Sequence, residues 1–323
     1  MGKTGLKEVA AKAKVSLATA SRVLAKHSNV SSTAKENVIR AALELGYSAN
    51  RKTNRPSLGV ILPLNDFFAT DPYYGSILNA LTAEVTKRHY LLEYTIADDI
   101  LRFQNIFIKG VISLVPYNDL AVEWGKHFNI PLVSFNSARS NAGSVYSVNS
   151  NNQQGIGMAV KYLHEKKHRR IGLFTIGSPA NHCIMERQKG FEKCTKELGM
   201  PPSDAVIQHI TDPGNYIEGF GKILRKGVSA IICAGENFGL HSAYALDLFG
   251  KKVPEDVSLI TYERRDISCY CNPPHTTLGQ DFPKMCSLAL ELLELACRNP
   301  SQAKNEIVDY KFIERESVSI WTS

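Results

Sequence analysis

The sequence predicts an α/β protein in two parts, a small all-helical head and a larger body built on parallel sheets. Three observations predict it. Residues 6–45 carry apolar positions at helical spacing. A polar, basic stretch at 48–57, SANRKTNRPS, then breaks the pattern. From Leu58 onward short apolar runs alternate with helical segments, as in parallel sheets covered by helices.

The head comes first. In LKEVAAKAKVSLATASRVL, residues 6–24, the positions Leu6, Val9, Ala10 and Ala13 recur at i, i+3, i+4 and i+7, one apolar helix face. Val15 plugs the turn that follows. Ser16 is a good N-cap, because its hydroxyl can accept an orphan amide of the next helix. In that second helix Ala20, Val23 and Leu24 face inward, which leaves Leu17, Ala18, Ser21 and Arg22 outward. Small residues, a hydroxyl and one Arg on an exposed face suit entry into a DNA major groove. The alternative is an αα-hairpin with a solvated face. A third helix is expected from about Ser32 to Leu45, capped by Ser31 or Ser32, with Thr33 and Glu36 spaced as a capping box. Val38, Ile39, Ala42 and Leu45 form its buried face, and Gly46 is the expected residue after its end.

Charge supports a polyanion bound at this end. Residues 1–57 hold eleven Lys/Arg against three acids (Glu8, Glu36, Glu44), a balance of +8 within a chain of net charge +7. A basic head on a near-neutral body is the footprint expected of nucleic-acid binding.

The body, 58–323, is long enough for two sheet layers, expected to be hinged. Strands are expected at 58–62, 110–115, 130–135, 170–174, 205–209, 229–234 and 257–262. Helices are expected at 74–88, 152–164, 187–198, 215–226, 238–249 and 281–298. Gly155 and Gly157 lack a third Gly and a preceding strand of the right kind, so they read as a helix interior and not a dinucleotide site.

Several functions are disfavoured. There is no apolar run near 18 residues and no signal-peptide core, so no membrane partner and a cytoplasmic location are expected. Seven scattered Cys without a C-x-x-C pair imply reduced thiols, mostly buried. No metal site and no cofactor are expected. His164 and His168 lack nearby partners and read as surface residues of a basic helix end. No G-x-S-x-G, H-E-x-x-H or P-loop is present, so an enzyme is not expected.

Beyond these patterns, the chain resembles the lactose-repressor/galactose-repressor (LacI/GalR) family of bacterial transcription regulators. The head motif LKEVAAKAKVSLATASRVL…VSSTAKENVIRAALELGYSANR carries the resemblance. So do DPYY at 71–74, RQKGF at 187–191, VPEDVSLITYE at 253–263, PPHTTLGQDF at 273–282 and FIERES at 312–317. The resemblance implies a helix-turn-helix head at 1–47, a linker at 48–57 and a periplasmic-binding-protein-like core at 58–323. Within that core, 58–147 with 281–307 would form one subdomain and 148–280 with 308–323 the other, with a small molecule between them.

Site residues follow from the same resemblance. Arg22 aligns with a base-reading Arg, a phosphate contact being the alternative. Leu17 and Ala18 would touch base edges or thymine methyls, or else pack in the head. Ser16, Thr19, Ser21, Asn29 and Ser31 suit phosphates, a role that can coexist with capping. Tyr47, Asn50 and Arg51 complete the DNA-binding set. For the effector, Arg187 offers fixed donors to vicinal hydroxyls or a carboxylate, the alternative being an ion pair with Glu186 or Glu192. Tyr73 and Tyr74 offer aromatic faces to a sugar, or serve the core. Asn136, Glu236, Glu263 and Gln280 occupy further family pocket positions, with Glu263 at a strand end where α/β sheets bind ligands.

Three departures from the family pattern stand out. Lys14 replaces the usual Gly of the helix-turn-helix turn, at a cost of roughly 1 kcal/mol if the backbone there is left-handed. Pro56 sits where the family's hinge helix carries a Leu, so the linker is expected to run as an extended arm with Arg51, Lys52 and Arg55. In the pocket, the family's Asn/Ser-Asp pair after the sixth core strand reads Gly235-Glu236, its Asp after the seventh strand reads Glu263, and an Asp after the third reads Asn136. The family function is a repressor of a carbohydrate-utilisation operon that binds double-stranded operator DNA as a homodimer. A small sugar, a galactoside by family analogy, would control it. The other reading is a sugar-binding protein with the same core, acting in transport or sensing.

Overall fold

A computed structural model describes residues 5–24, 30–45, 47, 56–63, 72–96, 99, 103, 108–115, 123, 130–137, 145–235, 238–264 and 267–322. The head holds α1 (Leu6–Lys12), α2 (Leu17–Leu24) and α3 (Ser32–Glu44). Val9, Ala10, Ala13, Ala20, Val23, Val38, Ile39, Ala41 and Ala42 form its buried cluster, with Leu6, Val15, Leu24, Leu45 and Tyr47 packed against it. The expected inward faces are therefore the observed ones. Ser16 caps α2, its Oγ accepting from the Thr19 amide at 3.0 Å. Ser31, not Ser32, caps α3, accepting from the Ala34 amide at 3.3 Å. Lys14 adopts φ 53°, the left-handed turn conformation that its place in the motif demands. Gly46 and linker residues 48–55, with the expected extended arm, lie outside the described residues.

Two six-stranded sheets build the body. The first has the order β11-β5-β4-β3-β1-β2, from β1 (Ser57–Leu62), β2 (Leu91–Ile96), β3 (Ile108–Ser113), β4 (Leu132–Phe135), β5 (Val145–Ser150) and β11 (Glu306–Val308). The second has the order β12-β10-β9-β8-β6-β7, from β6 (Ile171–Ile176), β7 (Ala205–Ile210), β8 (Ala230–Ala234), β9 (Ser258–Tyr262), β10 (Thr276–Gly279) and β12 (Lys311–Ile313). Parallel pairing links β2, β1, β3, β4 and β5 in the first, and β7, β6, β8, β9 and β10 in the second; β12 closes the second antiparallel to β10. Among the described residues the body helices are α4 (Pro72–Lys87), α5 (Asn152–Glu165), α6 (His182–Glu197), α7 (Tyr216–Leu224), α8 (Phe238–Leu248) and α9 (Phe282–Arg298). None of the described helices is long and apolar enough to cross a membrane.

By contacts the chain divides into a unit of 1–68, 77–148 and 285–306 and a unit of 69–76, 149–284 and 307–323. The start of α4, with Tyr73 and Tyr74, therefore groups with the second unit. In that unit Ile171, Leu173, Ile232 and Ile260 of the sheet pack against Ile156, Val160, Leu163 and Phe191 of α5 and α6. Gly190 lets α5 and α6 approach backbone to backbone: a Cβ there would lie 2.7 Å from Gln153 Cα. Gly155 and Gly157 lie inside α5, as expected.

Several expectations need correction. β2, β5, β10 and β11 were not expected, and α6 starts at His182, five residues earlier than expected, on the N-cap Asn181. His168 is not a surface residue but fully buried. Lys167 at φ 69° ends the helix and turns His168 inward. There its ring bonds Ser229 Oγ at 2.9 Å and the Ser319 carbonyl at 3.1 Å. No disulfide joins the seven Cys, but only Cys194, Cys233 and Cys286 are buried; Cys269 and Cys297 are exposed.

Candidate functional site

The head presents one face of α2. Ala20 and Val23 are buried, while Leu17, Ala18, Ser21 and Arg22 are exposed, Leu17 by 44%. Water does not normally recommend an exposed Leu at a helix start, but a thymine methyl does. The Ser16 hydroxyl lies 2.8 Å from that of Thr19, so both hydroxyls sit together at the start of α2, where amides and dipole favour a phosphate. Ser31 is exposed at the start of α3. Tyr47 packs against the head core, its amide bonded to the Ala42 carbonyl at 2.8 Å, which makes it a buttress with part of its ring exposed. Asn29, Asn50 and Arg51 lie outside the described residues.

The second candidate site gathers around Arg187 on α6. Its Nε donates to Asn152 Oδ1 at 2.9 Å, and its guanidinium lies 4.4 Å from the Tyr262 ring centroid. Beside it, Glu186 takes Lys189 Nζ and Gln153 Nε2, each at 2.7 Å. Asn152 Oδ1 also accepts from the Tyr310 hydroxyl at 3.0 Å, and the Tyr310 ring meets Tyr262 edge-on. Gly155 makes room for this, since a Cβ there would lie 2.7 Å from the Tyr310 ring.

The other expected residues are each engaged. Glu263, at the end of β9, forms a two-pronged ion pair with Arg315 at 2.9 and 3.0 Å and accepts from the Thr277 hydroxyl. Arg315 also donates to the His275 carbonyl at 2.6 Å. Gln280 accepts from the Ser150 hydroxyl at 2.5 Å. Tyr73 meets Tyr74 and Phe282 edge-on, at centroid distances of 5.2 and 5.6 Å. Asn136 takes φ 49° after β4 in the first unit, its amide bonded to the Val148 carbonyl at 3.2 Å. Glu236 lies outside the described residues. The structure thus brings Arg187 together with Asn152, Tyr262 and Tyr310, none of which sequence reasoning singled out. Tyr262 and Arg315 were in view within the motifs ending TYE and FIERES. A cation on a buried helix face also had to find an acceptor, and Asn152 is that acceptor.

A helix-turn-helix head on a two-sheet body with ligand-type donors at strand and helix ends defines a DNA-binding transcription regulator. Residues 5–50 match the family described as bacterial regulatory proteins, lacI family, and residues 160–318 match the periplasmic binding protein-like domain. The chain thus carries a lacI-family helix-turn-helix domain followed by a periplasmic-binding-protein-like domain. It is 26% identical to the HTH-type transcriptional repressor PurR of Pasteurella multocida over 89% of this chain and 90% of that one. The transcriptional regulator CelR in complex with cellobiose has a similar structure, with a TM-score of 0.70, 24% identity, and coverage of 97% and 99%. So does a lac repressor dimer bound to operator and the anti-inducer ONPF, with a TM-score of 0.70, 20% identity, and coverage of 98% and 100%.

Proposed function

We propose that the protein is a cytoplasmic repressor that binds a near-palindromic operator as a homodimer, and that a small sugar acting at the Arg187 site sets its operator affinity. The observation that carries the DNA-reading part is the exposed Leu17, Ala18, Ser21 and Arg22 face on a capped α2. One head makes too few contacts to be specific against a genome, so two copies place a recognition helix in each half-site. Arg22 reads a base by a bidentate contact, and the Ser16 and Thr19 hydroxyls hold phosphates.

The second copy docks on α8. Leu240, Tyr244 and Leu248, at four-residue spacing, are 47%, 61% and 55% exposed, an apolar stripe on one helix that a partner copy would cover. The similar lac repressor structure is a dimer, which supports a second copy as the occupant. The ligand is an effector and not a substrate. It acts through differential affinity for two body conformations, which typically changes a linked affinity by about 5–150-fold. The cellobiose-bound relative supports a sugar as that ligand.

Mobility shift with the DNA upstream of its own gene tests the DNA-reading part. Arg22→Ala should relax base preference at one position per half-site. Lys35→Ala should weaken binding to all sequences alike and shallow the salt dependence. A parent protein that binds that DNA no better than random DNA refutes the reading.

A further inference from the structure

Asn152 is a buried amide at the first position of α5, and three groups meet on it. Its Oδ1 accepts from Arg187 Nε at 2.9 Å and from the Tyr310 hydroxyl at 3.0 Å. Its Nδ2 donates to the Ser150 carbonyl at 3.2 Å. Two donors on one side and an acceptor on the other fix which way the amide points. The Arg187 guanidinium is thus held at its Nε edge by Asn152 and on one face by the Tyr262 ring. A side chain fixed in this way has less freedom to lose when a ligand binds.

Asn152 itself stands on a braced base. The chain passes between the two units after residues 68, 76, 148, 284 and 306, and the last three passages concern Asn152. On the second unit's side these passages are tied to one another. The Asn151 amide bonds the Val308 carbonyl at 2.8 Å, and Asn151 Nδ2 bonds Asp309 at 2.8 Å. Ser150 bonds Gln280 at 2.5 Å, and Lys311 pairs with Asp281 at 2.6 Å. Tyr310 belongs to the same set, its amide donating to Gln154 Oε1 at 3.0 Å. Asn152 is therefore the side chain that joins Arg187 to the braced passages.

We infer that Asn152 is the positioning residue for effector recognition by Arg187. It touches the guanidinium, and the guanidinium touches the effector. This rests on the proposed role of Arg187, so the test separates the two.

The first arm needs no effector. The full chain is treated with phenylglyoxal, and modification is followed by peptide mass spectrometry. Asn152→Ala should raise the modification rate of Arg187 at least about fivefold, while the exposed Arg225 is unchanged. Asn152→Asp keeps the accepting oxygen and should stay within about twofold of the parent. Equal rates at Arg187 in the parent and Asn152→Ala overturn the inference.

The second arm uses D-ribose, D-galactose, cellobiose and adenine as probes of operator binding. For the probe that shifts the parent, Asn152→Ala should raise the half-effective concentration about tenfold or more. Asn152→Asp should restore the response. A response in Asn152→Ala equal to the parent's overturns the inference. If only adenine acts, the sugar reading fails and the Asn152 comparison is made with adenine; if no probe acts, the sugar reading fails and the labelling arm alone decides the role of Asn152.

Discussion

Mild acid should loosen the second unit well before it reaches the carboxylate range. His168 and His275 are both almost fully buried. Burial holds the pKa of each down at about 4, with Arg169 adding to the effect at His168 and Arg315 at His275. At His168 the Ser319 carbonyl can only accept, so Nε2 carries the proton and Nδ1 accepts from Ser229. The folded state therefore keeps both rings neutral, while the unfolded chain protonates them near pH 6.5. A folded pKa below the unfolded one means stability that is complete above pH 6.5 and lost as pH falls from 6.5 towards 4. At pH 5 the loss is about 2 kcal/mol for each ring, about 4 kcal/mol together, a large share of a domain's typical stability. The lowered carboxylates Glu84, Glu186, Asp281 and Glu314 lose their contributions only at lower pH.

Urea unfolding at pH 7.5 and 5.0 checks this. The Trp321 ring lies tilted beside His168, with centroids 5.8 Å apart, and reports on the site; a Trp124→Phe background removes the other Trp. His168→Gln should roughly halve the difference between the two pH values, whatever it does to stability at either one. A parent that loses less than about 1 kcal/mol, or a His168→Gln, His275→Gln pair that loses as much as the parent, refutes the argument.

Two further outcomes are expected. Lys14→Gly should stabilise the head by about 0.5–1 kcal/mol, because φ 53° costs a Lys more than the added unfolded-state freedom costs a Gly. Hydrogen exchange of head amides in the full chain should slow about two- to fivefold, and unchanged exchange would show that the turn stores no strain. Tyr244→Glu should place a charge in the apolar stripe of α8 and weaken self-association at least about tenfold by sedimentation. A Tyr244→Glu protein that associates like the parent would place the second copy elsewhere.

The sequence revealed most where a single face is buried. The head's spacing gave its three helices and both faces of α2, because each apolar position there has one role. The body's central strands, such as 230–234 and 258–262, are continuous apolar runs and equally legible. β2 was missed because Glu93 and Thr95 interrupt its apolar residues. β10 was missed because Thr276 and Thr277 are buried hydroxyls rather than apolar side chains. His168 was misplaced because basic neighbours on both sides suggested a surface, and only the left-handed Lys167 turns it in. Arg187 was legible from its motif, but its partners were not. Asn152, Tyr262 and Tyr310 come from three separate segments, and pairing them requires the fold.

Among the described residues, alanine supplies five of the nine buried side chains of the head core, Ala10, Ala13, Ala20, Ala41 and Ala42. Each buries little apolar surface, so the head folds with a narrow margin at roughly 25 cal/mol per Å². Operator binding selects the folded head, so the apparent dissociation constant is the intrinsic one divided by the fraction folded. Warming that unfolds even half the heads doubles that constant for a single head and quadruples it for a pair that must both be folded. Repression would then relax with temperature while the body still holds its effector, making the head a thermometer in series with the chemical sensor.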